Sequence, residues 1–151
     1  MLHVALWEPE IPPNTGNVAR LCAATGAVLH LVGRLGFNLD DRHLRRAGLD
    51  YWPAVELRRH ISIDDLVRAL PAARVLPVSS KVQRPYASER YRDGDCLLFG
   101  SESKGLPPSV LERYTATSIT IPMPGGGVRS LNLATAVAIV LYEALRQLQD
   151  W

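Results

Sequence analysis

Cysteine is scarce in this chain of 151 residues: there are two, Cys22 and Cys96, and they form no CxxC pair. That leaves no dithiol motif and no framework of bridges. The start, MLHVALWEPE, lacks the basic opening of a secretory leader and reaches an acid at Glu8, so a reducing cytoplasm is the expected setting. Histidine is also sparse. His3, His30, His43 and His60 make no HxxxH, HExxH or Cys/His cluster, and no bound metal is expected. Long apolar runs are missing too. The longest, 133–142, is interrupted by Thr135 and falls well short of the roughly 20 residues of a membrane span. Repeats, low-complexity tracts and linkers are absent. Among 17 basic residues only Lys81 and Lys104 are lysines. The arginine bias suits bidentate phosphate contacts, but a genome rich in G and C would produce the same bias.

What remains is the composition of one globular domain over residues 1–151, with 47% apolar and 21% charged residues and a formal net charge of +2. Apolar runs of strand length occupy 2–7, 28–32, 54–57, 74–78, 95–100 and 118–121. Between them, helical periodicity runs over 15–25, 40–47, 63–70, 107–114 and 130–149. Val18, Leu21, Cys22 and Thr25 share one face of the first helix, and Gly26 ends it. Strands alternating with helices predict an α/β fold, a mostly parallel sheet with helices on both faces. The last helix carries a stripe of Leu133, Val137, Val140, Leu141, Ala144 and Leu148, widened by Ala134, Ala138, Tyr142 and Leu145. So broad an apolar surface fits either a central core helix or one that also meets a second subunit.

In an open parallel sheet, ligands bind outside the carboxyl ends of the strands. Three polar, glycine-containing segments follow strands here: EPEIPPNTGNVAR, GSESKGLPP and PMPGGGVRSLN. None is a dinucleotide or phosphate-loop fingerprint. No GxGxxG follows the first strand, and Lys104 precedes the second glycine of GSESKG. The serines of SES and SLN have no paired histidine, which leaves a hydrolase triad unsupported.

Together, however, GNVAR at 16–20, GSESKGLP at 100–107 and IPM followed by RSLNLATAVAIVLYEALRQ resemble the three motifs of the SPOUT class of RNA methyltransferases. Within it the chain is similar to the short tRNA 2′-O-methyltransferases that modify the wobble nucleotide, the TrmL-like group. EPEIPPNTGN, RLCAATG, GF at 36–37, RRAGLDYW at 45–52 and DGD at 93–95 extend the match along the chain, and only about 56–92 match loosely. The resemblance implies a C-terminal deep trefoil knot, an exception to the general absence of knots. It also implies S-adenosylmethionine held in the knot, and a homodimer with active sites at the subunit interface.

Residue by residue, the resemblance makes Arg20 catalytic. Asn17, three residues earlier and on the same side of the helix, supports Arg20 or serves as a helix-start residue. A guanidinium with a pKa above ~12 is a poor general base, so orienting the ribose and stabilising developing alkoxide suit Arg20 better than proton abstraction. Val78, Gly100, Ile121 and Ser130 fall at cofactor positions, and Ser79, Met123 and Leu131 adjoin them. Glu102 braces its loop. Ser130 and Asn132 also read as caps of the last helix, and Tyr142 matches a dimer-facing tyrosine or packs in the core. The glycine run 124–127 departs from any readable conformation. Arg42, Arg45 and Arg46, beside His43, form the densest basic cluster and would take RNA phosphates. The implied activity is 2′-O-methylation of the tRNA wobble nucleotide, cytidine or uridine. Three rival readings are a ribosomal-RNA 2′-O-methyltransferase, a knotted RNA-binding protein without catalysis, and a flavodoxin-like nucleotide binder.

Overall fold

Strand β1 (His3–Trp7) runs along the middle of a five-stranded sheet. β2 (Val28–Val32) and then β3 (Leu57–His60) lie on one side of it. β5 (Cys96–Phe99) and then β4 (Val75–Val78) lie on the other. Every pairing is parallel. The structure is a computed structural model, and it describes residues 1–40, 42, 46 and 52–151. β2 and β5 are buried at every position, as strands covered on both faces must be.

Helix α1 (Pro12–Thr25) starts three residues before the expected 15, because prolines at its first two positions cost no hydrogen bond there. Gly26, with φ +76°, ends it by donating its N–H to the Cys22 carbonyl. α1 and the long α4 (Leu133–Gln149) cover one face of the sheet, where Val18, Cys22, Val137, Val140 and Leu141 meet Val4, Leu6, Leu29, Leu31 and Leu97. The short helices α2 (Ile63–Ala69) and α3 (Pro108–Arg113) cover the other with Leu66 and Val110 against Ala5, Val32 and Leu98. The expected α/β architecture with helices on both faces is the one observed.

Two expectations need correction. The strand placed at 54–57 begins at Leu57 instead, and Trp52–Ala54 form a 3-10 turn. An edge strand exposes its outer positions, so β3 carries Arg58 and Arg59 where an apolar pattern was sought. Residues 118–121 do not add a sixth strand. Ile119 and Thr120 make only isolated bridges, to Val78 and Pro85. The Ile119 N–H donates to the Pro77 carbonyl and its carbonyl accepts from Ser79, while Thr120 exchanges both bonds with Arg84 and Tyr86. The stretch is therefore clamped between the two ends of residues 79–85. Of the expected helix at 40–47, Arg42 and Arg46 are described, helical and exposed; Arg45 lies outside the described residues. Among the described residues no helix is long and apolar enough to cross a membrane.

Candidate active site

The chain winds outward from β1 to β3, then returns from the opposite edge through β4 to β5. Strand order thus reverses between β1 and β5, the point at which open parallel sheets leave a crevice. A cleft of about 570 Å³ opens there, within the range of ligand sites. Three loops form it, from 78–81, from 99–106 and from 120–133, together with Ile11 and Asn14 at the start of α1. All seven residues expected at the cofactor, Val78, Ser79, Gly100, Ile121, Met123, Ser130 and Leu131, line this one cleft. They come from three distant parts of the chain.

Loop 100–105 folds back on itself, with the Gly105 N–H donating to the Ser101 carbonyl at 2.9 Å. Its closure needs glycine: a Cβ on Gly100 would collide with the Gly105 and Leu106 backbone, and Gly105 sits at φ +67°. Glu102 ties the loop to the β1–α1 connection. Its carboxylate accepts the Glu10 N–H (2.8 Å), the Ile11 N–H (2.9 Å) and the Asn14 side-chain amide (3.2 Å). Glu10 reciprocates by accepting both the N–H and the hydroxyl of Ser103 (2.9 and 2.6 Å). Those Ser103 bonds hold the Glu10 carboxyl below its usual range. Asn14 is buried and accepts a 3.0 Å bond from Asn132, whose own side chain caps α4 by accepting the Thr135 N–H. One carboxylate and two asparagines therefore lock three loops around the cleft.

Asn14 was missed by sequence reasoning, although it stands six residues before Arg20 in the same motif segment. Polar residues at a helix start read as ordinary caps, and only its burial beside Glu102 reveals it. Arg20 and Asn17 occupy the exposed side of α1 and do not line the cleft. Tyr142 is 42% exposed and leans on Trp151, 69% exposed, so it is not a core tyrosine. Arg42 and Arg46 are exposed and likewise outside the cleft lining. No group of three or more His, Cys, Asp or Glu residues among those described is placed to hold a metal.

The cleft suits S-adenosylmethionine by its donor set. Val78, Ile121, Met123 and Leu131 offer an apolar wall for a purine, and Ser79 and Ser130 offer hydroxyls for a ribose. Lys81 and Arg129 offer charge for a carboxylate. Fold and site together define an α/β protein with one parallel five-stranded sheet and a ligand cleft built by the loops beyond β1, β4 and β5. Residues 1–142 match the SpoU rRNA Methylase family, and the chain belongs to it. It is 46% identical to the tRNA (cytidine(34)-2′-O)-methyltransferase of Escherichia coli K12, over 98% of this chain and 94% of that one. A solved structure described for the 2-OH methylation of C/U34 on tRNA is 53% identical, covering 100% of this chain and 98% of that one, with a TM-score of 0.95. The AviRb SpoU methyltransferase of Streptomyces viridochromogenes, solved with AdoMet, is 26% identical with a TM-score of 0.87, covering 100% of this chain and 62% of that one.

Proposed function

We infer that the chain is an S-adenosylmethionine-dependent tRNA methyltransferase acting on the 2′-hydroxyl of the wobble nucleotide, position 34. The observation that carries this reading is the convergence of the three motif segments on one cleft, in a chain nearly half identical along its length to tRNA (cytidine(34)-2′-O)-methyltransferases.

When bound, S-adenosylmethionine supplies an electrophilic methyl carbon. The protein's part is then positioning. Val78, Ser79, Gly100, Ile121, Met123, Ser130 and Leu131 hold the cofactor. The Glu102–Asn14–Asn132 lock keeps the walls at fixed separation. Arg20 meets the acceptor ribose, orients it and stabilises charge developing on the 2′-oxygen, and Asn17 supports Arg20. Since neither lines its own cleft, we assign Arg20 to the cleft of a second subunit in a homodimer. The half-exposed Tyr142 and the broad apolar surface of α4 support that assembly. The clamped stretch at 118–120 supports a trefoil knot, with the C-terminal segment drawn through the loop 79–85. Arg42, Arg45 and Arg46 take RNA phosphates, and the work is done in the cytoplasm, where both buried thiols stay reduced.

Nucleoside mass spectrometry on tRNA transcripts incubated with the protein and labelled S-adenosylmethionine tests the reaction. The expected product is a 2′-O-methylated nucleotide at position 34; unlabelled tRNA, with label entering ribosomal RNA in a parallel incubation, would make the chain a ribosomal-RNA 2′-O-methyltransferase instead. Light scattering at micromolar concentration should give twice the 16.6 kDa of one chain, and a monomer would remove the interface assignment of Arg20.

A further inference from the structure

A second cleft, of about 800 Å³, opens beyond the carboxyl ends of β2 and β3, lined by none of the three motif segments, though Phe37 of the matched GF pair borders it. Its walls are residues 33–35, 37–39 and 59–61. Arg34 and Arg59 line it, both exposed, and neither makes an ion pair among the described residues. Several acids of the adjoining segments are already engaged. Glu8 turns its carboxylate onto the Arg34 backbone N–H at 3.1 Å. Asp64 pairs with Arg113, and Asp65 with Arg68. Arg58, on the opposite side of the strand from Arg59, is held by Glu56.

His60 also lines the cleft, and its ring is fixed from behind. Its Nε2 shares a 2.8 Å bond with Nδ1 of the fully buried His30, whose Nε2 shares a 2.9 Å bond with Nδ1 of His3. The three imidazoles step diagonally across β3, β2 and β1 on one sheet face. With its Nε2 engaged, His60 has Nδ1 left for a ligand. A half-buried aromatic ring, Phe37, and the 87% exposed Ile61 complete the walls. Free guanidinium pairs beside an aromatic face are the combination that tracks single-stranded nucleic acid, charge on the backbone and a ring beneath a base.

The two clefts are joined through one segment. Gly33 packs against the Glu8 side chain and Gly36 against the Glu10 backbone, so closely that a Cβ would come within 2.8 and 2.9 Å. Glu10 in turn holds Ser103 of the first cleft. Both openings therefore face the same edge of the sheet, separated by residues 8–11.

We propose that the second cleft binds the sugar–phosphate backbone of single-stranded RNA flanking the target nucleotide, with Arg34 and Arg59 on phosphates and Phe37 against a base. This rests on the RNA-methyltransferase reading for what occupies the first cleft. The site supplies affinity and register, not chemistry.

Fluorescence anisotropy with a labelled anticodon stem-loop RNA tests it on the full-length protein. R34A/R59A should weaken binding about tenfold or more and reduce the slope of log K against log salt by roughly 1.4, two single-strand phosphate contacts. R34Q/R59Q, which keeps the side-chain stems, should do the same. R90A/R92A removes two exposed arginines at the opposite edge of the sheet and should weaken binding by less than about threefold. S-adenosylmethionine affinity and Tm should be unchanged throughout. No weakening by R34A/R59A, or equal weakening by the two pairs, overturns the proposal. A wild-type protein that binds the stem-loop through Arg34 and Arg59 yet transfers no methyl group leaves the proposal standing and removes the activity assigned above.

Discussion

Two polar clusters sit at opposite edges of the sheet, and they are built in opposite senses. At the carboxyl edge a carboxylate, Glu102, gathers N–H donors from the β1–α1 connection. At the amino edge a guanidinium, Arg74, gathers acceptors. It bonds Asp95 bidentately (3.1 and 2.7 Å), Glu89 at 3.1 Å and the Arg90 carbonyl at 2.9 Å, and Glu89 is shared with Arg84 at 2.6 Å. Asp95, the nearest partner, is what chiefly holds the Arg74 guanidinium in its charged form. The Arg74 cluster is closed on itself: its charges cancel and it borders neither cleft. The Glu102 cluster is a rim. It spends its carboxylate on backbone and leaves Lys81 and Arg129 across the cleft without ion pairs among the described residues. The first arrangement stabilises a fold; the second holds an opening.

The largest effect should fall on a residue that belongs to neither cluster. Arg20→Ala removes a side chain from the exposed face of α1, so Tm and S-adenosylmethionine affinity should hold. Methyl transfer to tRNA should fall by about 10²–10³-fold or more, the scale of losing one group that stabilises transition-state charge. A radiolabel assay with full activity in this variant would end the catalytic assignment.

The clusters themselves should separate next. Arg74→Ala leaves Asp95 buried without its cation and Glu89 with Arg84 alone, and should cost about 3 kcal/mol in urea unfolding, with cofactor affinity unchanged below the transition. Glu102→Gln keeps size but loses charge-assisted acceptance. It should lower cofactor affinity and turnover about tenfold or more while costing only ~1–2 kcal/mol of stability. A matched loss of stability and activity in both variants would erase the distinction drawn between them.

A pH titration of stability sharpens it further, because the histidine chain and the carboxylates act in different windows. Burial is the main reason the His30 pKa falls to about 3, and the same cause lowers His3 and His60. A depressed histidine binds its proton in the unfolded chain first. The neutral-pH stability is therefore complete above about 6.5 and drains as pH falls towards 3. Each such proton contributes a slope of up to about 1.4 kcal/mol per pH unit. Glu10, Asp65, Glu89 and Glu143, all held below their usual range, add their loss only nearer pH 4. Between pH 6.5 and 5 the decline belongs to the histidines, and His30→Gln should flatten it. An unchanged slope in that variant would place the titrating groups elsewhere.

Much of this was legible in the residues and some was not, for physical reasons. Uniformly buried strands such as VLHLV read as strands because they contain little that water tolerates, even with His30 inside. β3 was displaced because an edge strand has an exposed side, where LRRH is as good as an apolar run. The short segment 118–121 read as a strand because its local pattern is one, yet pairing is a property of neighbours. The loops around the cleft were found by motif, since glycine and proline mark where backbones come close. The lock among Glu102, Asn14 and Asn132 was not, because the members stand up to 118 residues apart and each has an ordinary local role.

Asn14 and Asn17 give the finest test. They lie three residues apart on α1, so a helix turn places them near one another, but Asn14 is buried in the lock and Asn17 is exposed. Asn14→Ala leaves an unpaired Asn132 amide and removes one donor to Glu102. Losing those two bonds in a half-dry rim should cost ~1–2 kcal/mol, read as roughly a tenfold loss in cofactor affinity with a small drop in Tm. Asn17→Ala touches no bond that shapes the cleft. If it acts only through Arg20, turnover should fall about threefold while cofactor affinity stays fixed. Reversal of that order would mean that the exposed side of α1, rather than the rim, holds the cofactor loops in place.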